Sequence, residues 1–545
     1  MGPSMTDSIS TTLWPTPHDP FSWNNRTENE SFEGSNPKTA IPSHHLSQVP
    51  TLSQIDNYSK ITSIPTPSTA LSYINQNESS PLDESTSNDT SPYRFKKQFP
   101  TTSPINTFPM DMHCNFDEMN VRYPSFSQSK LITLNTNSSW NKRGEIFGEE
   151  AYSFAGSSIS LSSDGTTVAV GYRQGTGHKD RSGLIRIFKN VDLSWSQIGQ
   201  DILGDNSGDN FGFALSLSGG GNFVVIGAKN GVNKGGHDTG FTRVYQFIKA
   251  SNKWVQLGST IYGKNAGDFA GHSVAISGSG KWISVSSIYS DTDEKVDAGS
   301  VRIYEYDCYI DQWTQVGNSI DGSEAFALAG FSISMSYDGT QIAIGTVHSS
   351  NNQIQHMSGH VEVYEFKTTN NFKRWVRMGS KIQGQYTLDQ LGFSVSLSHD
   401  GNRIAIGANG HDVGQARNAG YCRVFDFDWN KVEWHQVGSD INGEQSGEQS
   451  GWSVSLSKTG EFLSCGGKNK FVDGVRSGYA RIFYNSGDDW VQIGEDIVGP
   501  PGSSLGFATS FSYNGTYIAI GGPDFEGSYG LYEGLVHIYG ISYLS

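Results

Sequence analysis

The sequence predicts an all-β fold: a seven-bladed β-propeller of four-stranded antiparallel blades over 136–545, preceded by a disordered arm over 1–135. Three observations lead there. A Trp-centred segment recurs seven times, at Trp140, Trp195, Trp254, Trp313, Trp375, Trp434 and Trp490, with spacings of 55 to 62 residues. A second constant element, FSVSLSHDGNRIAIGA at 393–408, has counterparts beginning at Phe154, Phe211, Gly271, Phe331, Trp452 and Phe507. Finally, of 64 Gly and 18 Pro, only two Gly but 15 Pro lie in 1–139, so two different polymers meet near Trp140. The first is Ser/Thr-rich and too poor in apolar runs to offset ordering entropy. The second is too rich in glycine to be mostly helical.

Each repeat is expected to supply four strands. FSVSLS and RIAIGA alternate apolar with small residues, the period of a half-buried strand. Between them stands Asp-Gly in three copies (Asp164-Gly165, Asp338-Gly339, Asp400-Gly401), which predicts a tight two-residue hairpin turn. A variable loop leads to a third strand such as SVRIYEY or YCRVFDF, and the Trp segment gives the fourth. Such units pack face to face around an axis as propeller blades. FSVSLS belongs innermost, with Phe393, Val395 and Leu397 filling one inter-blade layer and Ser394, Ser396 and Ser398 keeping the other face thin. The aromatic strands belong farther out, where the wedge between blades widens. The last copy has no Trp strand after it and the first has an extra one before it. The segment around Trp140–Ile146 is therefore expected to close the ring.

The repeats resemble FG-GAP repeats, the unit of the propeller at the head of integrin α chains. Phe211-Gly212, Leu391-Gly392-Phe393 and Leu505-Gly506-Phe507 match the opening motif. Ile226-Gly227-Ala228, Ile406-Gly407-Ala408 and Gly521-Gly522-Pro523 match the closing one. The resemblance implies the fold, together with adhesion or cell-surface recognition. It does not carry over calcium, because the DxDxDG loop of that family is replaced by a short Asp-Gly turn without the oxygen ligands Ca²⁺ needs.

The net charge of −16 shows no basic stripe, so nucleic acid is not expected as a partner. No stretch approaches 18 apolar residues, and the first residues lack the basic and apolar regions of a secretory signal. The compartment stays open. Cys308, Cys422 and Cys465 fall singly in separate strands, which points to buried thiols. In the arm, Thr16, Thr66, Ser80, Ser91 and Ser103 precede proline and could accept phosphate, and six N-x-S/T sequons match chance frequency.

Loops between second and third strands differ in every copy and emerge on one face, the usual place for a ligand on a rigid scaffold. Candidate binding residues there are His178, His237, Asp291, Asp293, Asp297, His356 and His411. Their spread over several blades argues against zinc, which needs convergent ligands. Asp291, Asp293 and Asp297 have the spacing of a cation loop beside Lys295. No catalytic motif occurs: no nucleophile elbow, phosphate loop, dinucleotide fingerprint or HExxH, and no repeated carboxylate pair for glycoside hydrolysis. The sequence thus points to a non-enzymatic, monomeric scaffold without cofactor or metal, recognising a protein or glycan. The alternatives are an intracellular interaction hub with a phosphorylated arm and a propeller-type glycoside hydrolase.

Overall fold

Why a chain would repeat one unit seven times is answered by its edges: a ring of blades leaves no long unpaired strand. The computed structural model describes residues 139–542, apart from 178, 193, 234–235, 293, 351–355, 371 and 488. The expected arm over 1–135, with its phosphate positions and sequons, lies outside the described residues. The architecture is a seven-bladed β-propeller, with no helix among the described residues. Its innermost strands are Ala155–Leu161, Phe211–Leu217, Ala270–Ile276, Ala329–Met335, Ser394–Leu397, Ser450–Leu456 and Ala508–Phe511. Each packs on the next around the axis, and the last packs on the first.

In the seventh blade the outermost strand comes from the other end of the domain. Ser139–Phe147 pairs antiparallel with Leu535–Ser542, from Ser139 opposite Ser542 to Phe147 opposite Leu535. Trp140 packs toward Phe511 at 6.1 Å, and Ile146 is buried in the next blade's core. Burying a side chain of that size contributes roughly 1.5–3 kcal/mol.

Blades meet through two tiers of serine. The upper tier donates: Ser158, Ser332, Ser394 and Ser453 Oγ reach the carbonyls of Gly212, Gly392, Gly451 and Gly506 in the following blade at 2.7–2.9 Å. The lower tier accepts: Ser160, Ser334, Ser396, Ser455 and Ser510 Oγ take the N–H groups of Leu217, Leu397, Leu456, Phe511 and Leu161 at 2.9–3.1 Å. These serines, expected only to keep a face thin, hold the blades together by hydrogen bonds. The two constant glycines have the same cause. A β-carbon on Gly227 or Gly407 would lie 2.0 or 2.1 Å from the carbonyl oxygen of Gly271 or Gly451 in the next blade. That second glycine adopts φ of +85° or +81°.

Two local expectations are corrected. The fourth strand is split: in the second blade Lys253–Gln256 and Ile261–Tyr262 both pair with Phe241–Ile248. Gly258 breaks it at φ +68° because the next Trp crosses there, its Nε1 donating to the Leu257 carbonyl at 2.9 Å. Trp254, Trp375, Trp434 and Trp490 donate likewise to Ile198, Val316, Met378 and Val437. The Asp-Gly turn is also wider than two residues. Asp164 accepts from Ser162 Oγ at 2.6 Å and Thr166 N at 2.9 Å, and Gly165 has positive φ while Asp164 does not. This wider loop pushes one extra residue per blade toward the axis.

The expectation of buried thiols fails for Cys308, Cys422 and Cys465 alike, since each is disulfide-bonded. Cys422, on the third strand of the fifth blade, and Cys465, on the second strand of the sixth, form a disulfide with Cα atoms 6.3 Å apart. Both sides face the same blade boundary, a closeness that sequence spacing does not reveal.

Candidate functional site at the axis

The residue after the constant Ser in each first turn points to the axis. Around the ring these residues are Ser163, Gly219, Gly278, Tyr337, His399, Lys458 and Tyr513. Backbone hydrogen bonds join them into a closed girdle. Ser163 N–H donates to Gly219 O, Gly219 to Gly278, Gly278 to Tyr337, Tyr337 to His399 and His399 to Lys458, at 2.7–3.0 Å. Thr459 N–H continues to Tyr513 O at 3.2 Å, and Tyr513 N–H closes on Ser163 O at 2.8 Å.

The girdle is lopsided. Three adjacent blades contribute Ser or Gly, and four contribute large polar side chains. Tyr337 fills the empty side: β-carbons on Gly278 and Gly219 would lie 2.1 and 2.7 Å from its Cε2. His399 stacks on Tyr337 at 4.4 Å, and Tyr513 meets His399 edge-on at 5.4 Å.

Above this girdle lies an axial cavity of about 210 Å³. Its walls carry the lower serine tier, and Tyr337, Lys458 and Tyr513 stand at its floor. No Asp or Glu lines it. Loss of hydration lowers the Lys458 amine to about 8, and it lowers His399 too, with the Lys458 charge adding to the effect. An amine poised near 8 shares its time between a proton donor and a free base, while His399 stays neutral.

At the other end of the axis, the residue after each opening glycine forms an aromatic collar. Phe213, His272, Phe331, Phe393, Trp452 and Phe507 follow one another with ring centroids 4.6–5.4 Å apart. Ser157 of the first blade leaves a gap. Both His272 ring nitrogens are buried, and the hydrogen-bonding group beside the ring is the Phe331 backbone. Burial, and after it the charge of Lys229, hold that imidazole down to about 3.

The loop residues expected to bind a ligand do not converge. His178 and Asp293 lie outside the described residues. His237 and His356 are exposed on different blades. His411 Nδ1 sits 2.8 Å from the buried Asp389 carboxylate and wedges against Tyr421 and Tyr386, a loop-holding contact. Asp297 donates its N–H to Asp291 at 2.9 Å, which closes the loop, and burial followed by the Asp291 charge raises the Asp297 carboxyl. Among the described residues no group of three His, Cys, Asp or Glu could hold a metal. The axial residues were missed because each is a single changeable position inside a constant repeat. Comparing the seven copies at the position after the turn Ser would have exposed them.

No family model matches the chain, and no curated protein does. Solved structures that it resembles include a putative 6-phosphogluconolactonase from Bacteroides uniformis, at 12% identity and TM-score 0.43, over 64% of this chain and 86% of that one. Another is the periplasmic gluconolactonase of Pseudomonas aeruginosa, at 14% identity and TM-score 0.43, over 67% of this chain and 88% of that one. At such identity the likeness speaks for the fold, and no substrate is taken from it. Both names are those of enzymes and so stand against the expectation of a non-enzymatic scaffold for a protein or glycan, but neither carries an activity over to this chain. Groups that meet at a propeller axis come from different blades, some 60 residues apart, and leave no short motif in the sequence.

Proposed function

We propose that the chain is a hydrolase of small carbonyl esters or lactones, with its reaction centre on the floor of the axial cavity. The observation that carries this reading is Lys458, an amine lowered to about 8 at the end of a serine-lined cavity without carboxylates. In its neutral form Lys458 takes a proton from water, and the hydroxide formed attacks the carbonyl carbon. Tyr337 and Tyr513 hydroxyls donate to the oxyanion, a task that tyrosine performs well where water is scarce. The tetrahedral intermediate then expels the alkoxide, which recovers its proton from the Lys458 ammonium, leaving an acid and an alcohol. Glycoside hydrolysis is the poorer reading, since it needs two carboxyl groups flanking the bond and none lines the cavity.

The test is release of acid from δ-valerolactone and short aliphatic esters in a pH-stat, with a panel of aryl glycosides alongside. Lactone or ester turnover that Lys458→Met lowers by about 10²–10⁴-fold supports the reading. Turnover of glycosides alone, or ester turnover untouched by the substitution, overturns it.

A further inference from the structure

We propose that the axial cavity holds a small carboxylate anion, bound by a ring of serine hydroxyls and the Lys458 ammonium. The role of that anion, as the hydrolase's own acid product retained on the enzyme, rests on the reading above.

The uncharged half of the site is the lower serine tier. Ser160, Ser334, Ser396, Ser455 and Ser510 line the cavity, and each Oγ accepts one backbone N–H from the next blade. A hydroxyl that accepts still has its own proton to donate. Among the described residues none of these five O–H groups donates to a protein acceptor. The N–H bonds fix the oxygens, so the protons are left for whatever occupies the axis.

A ring of donors suits any oxygen-rich ligand, and Lys458 selects an anion. It lines the same cavity, no Asp or Glu does, and among the described residues no ion pair holds it. Tyr337 and Tyr513 stand beside it on the floor, and His399 in the neighbouring turn is held neutral by burial. Asp338 and Asp400, on the turns that carry Tyr337 and His399, are each tied to a serine hydroxyl and a backbone N–H of their own turn. One cation without a counter-charge fits a monoanion. The volume of about 210 Å³ is several times the roughly 30 Å³ of one water, which leaves room for an acid of a few carbons.

Proton balance points the same way. A carboxylic acid released beside neutral Lys458 gives its proton to the amine: the acid's O–H bond breaks and an N–H bond forms. A carboxyl titrating at about 4 is much the stronger acid than this ammonium at about 8. The carboxylate is left opposite the ammonium it has made, and the base is blocked until the pair parts.

The probe is butyrate, titrated into the full chain by calorimetry at pH 7, with butan-1-ol as its neutral counterpart. Saturable binding at one site is expected, about tenfold tighter for the acid, since a charge-assisted hydrogen bond corresponds to such a ratio. Above pH 8 the affinity should fall about tenfold per pH unit, as the ammonium loses its proton. Lys458→Met should abolish the preference for the acid. Ser334→Ala, titrated well below its melting temperature, should weaken butyrate about three- to tenfold. In the pH-stat, butyrate should inhibit ester turnover competitively. No saturable binding, equal affinity for acid and alcohol, or equal affinity at pH 7 and pH 10 would each overturn the proposal. Binding as expected in a chain that turns over no ester would support the anion site and remove only the product role. Ester turnover that butyrate does not inhibit would overturn the proposal and leave the hydrolase reading standing.

Discussion

At one end of the axis six rings from Phe213 to Phe507 close on one another, and their buried histidine is kept uncharged. At the other end the same seven strands turn back and present Tyr337, His399, Lys458 and Tyr513 against a flank of Ser163, Gly219 and Gly278. Both rings are built at positions next to an invariant small residue, the opening glycine above and the turn serine below. The constant residue fixes the backbone, so its neighbour can change without disturbing the blade. The upper ring uses that freedom to vary aromatic packing, and the lower ring uses it to gather polar groups on one side. The side chains that differ from blade to blade thus gather at the two ends of the axis.

The largest expected difference between the two ends appears in acid. His272 is held neutral in the folded protein with its pKa near 3, whereas in the unfolded chain it takes a proton near its ordinary value. The unfolded state therefore binds more protons below about 6.5. Stability falls as the pH drops from there and levels off near 3, by an amount on the order of several kcal/mol. His272→Phe should blunt that loss in urea titrations at pH 4 while changing little at pH 8. An unchanged acid profile would mean that the ring nitrogens are not buried as described.

Next in size is the crowded side of the lower girdle. Gly278→Ala places a β-carbon against Tyr337, so the ring must move, at about 1–3 kcal/mol in stability by denaturant unfolding. The same variant should lose ester turnover, because Tyr337 would leave its place on the cavity floor. Stability lost with turnover intact would separate the girdle from the chemistry. Ser396→Ala leaves the Leu456 N–H without its acceptor and should cost about 1–2 kcal/mol. At the rim, Trp434→Phe removes the bond to the Met378 carbonyl along with part of the indole's packing, for about 1 kcal/mol. A cost at Trp434 exceeding that at Ser396 would place the main bond between blades at the rim instead of the axis.

Much of the fold was legible because it is repeated. Seven Trp segments and seven strand pairs with period two leave few other architectures. The Trp itself was read as outer-strand bulk, while its Nε1 bond to the previous blade was not visible, since it joins residues 53–59 positions apart. The same holds for Cys422 and Cys465, which meet only across a blade boundary. The candidate site was hardest to see. Lys458, read alone in LSKTGE, is a turn lysine like any other, and its lowered pKa exists only once the strands around it remove water. Exposed loop histidines such as His237 and His356 drew notice by residue type, yet nothing brings them together.

The central claim is that Lys458 at the axial floor is the working base, and the pH dependence of ester or lactone hydrolysis tests it most directly. The account predicts that kcat/KM rises with pH through an apparent pKa near 8 and levels off above it, and that Lys458→Met loses both the rate and that inflection. A rate unaffected by the substitution, or an inflection near 8 that survives it, would contradict the account.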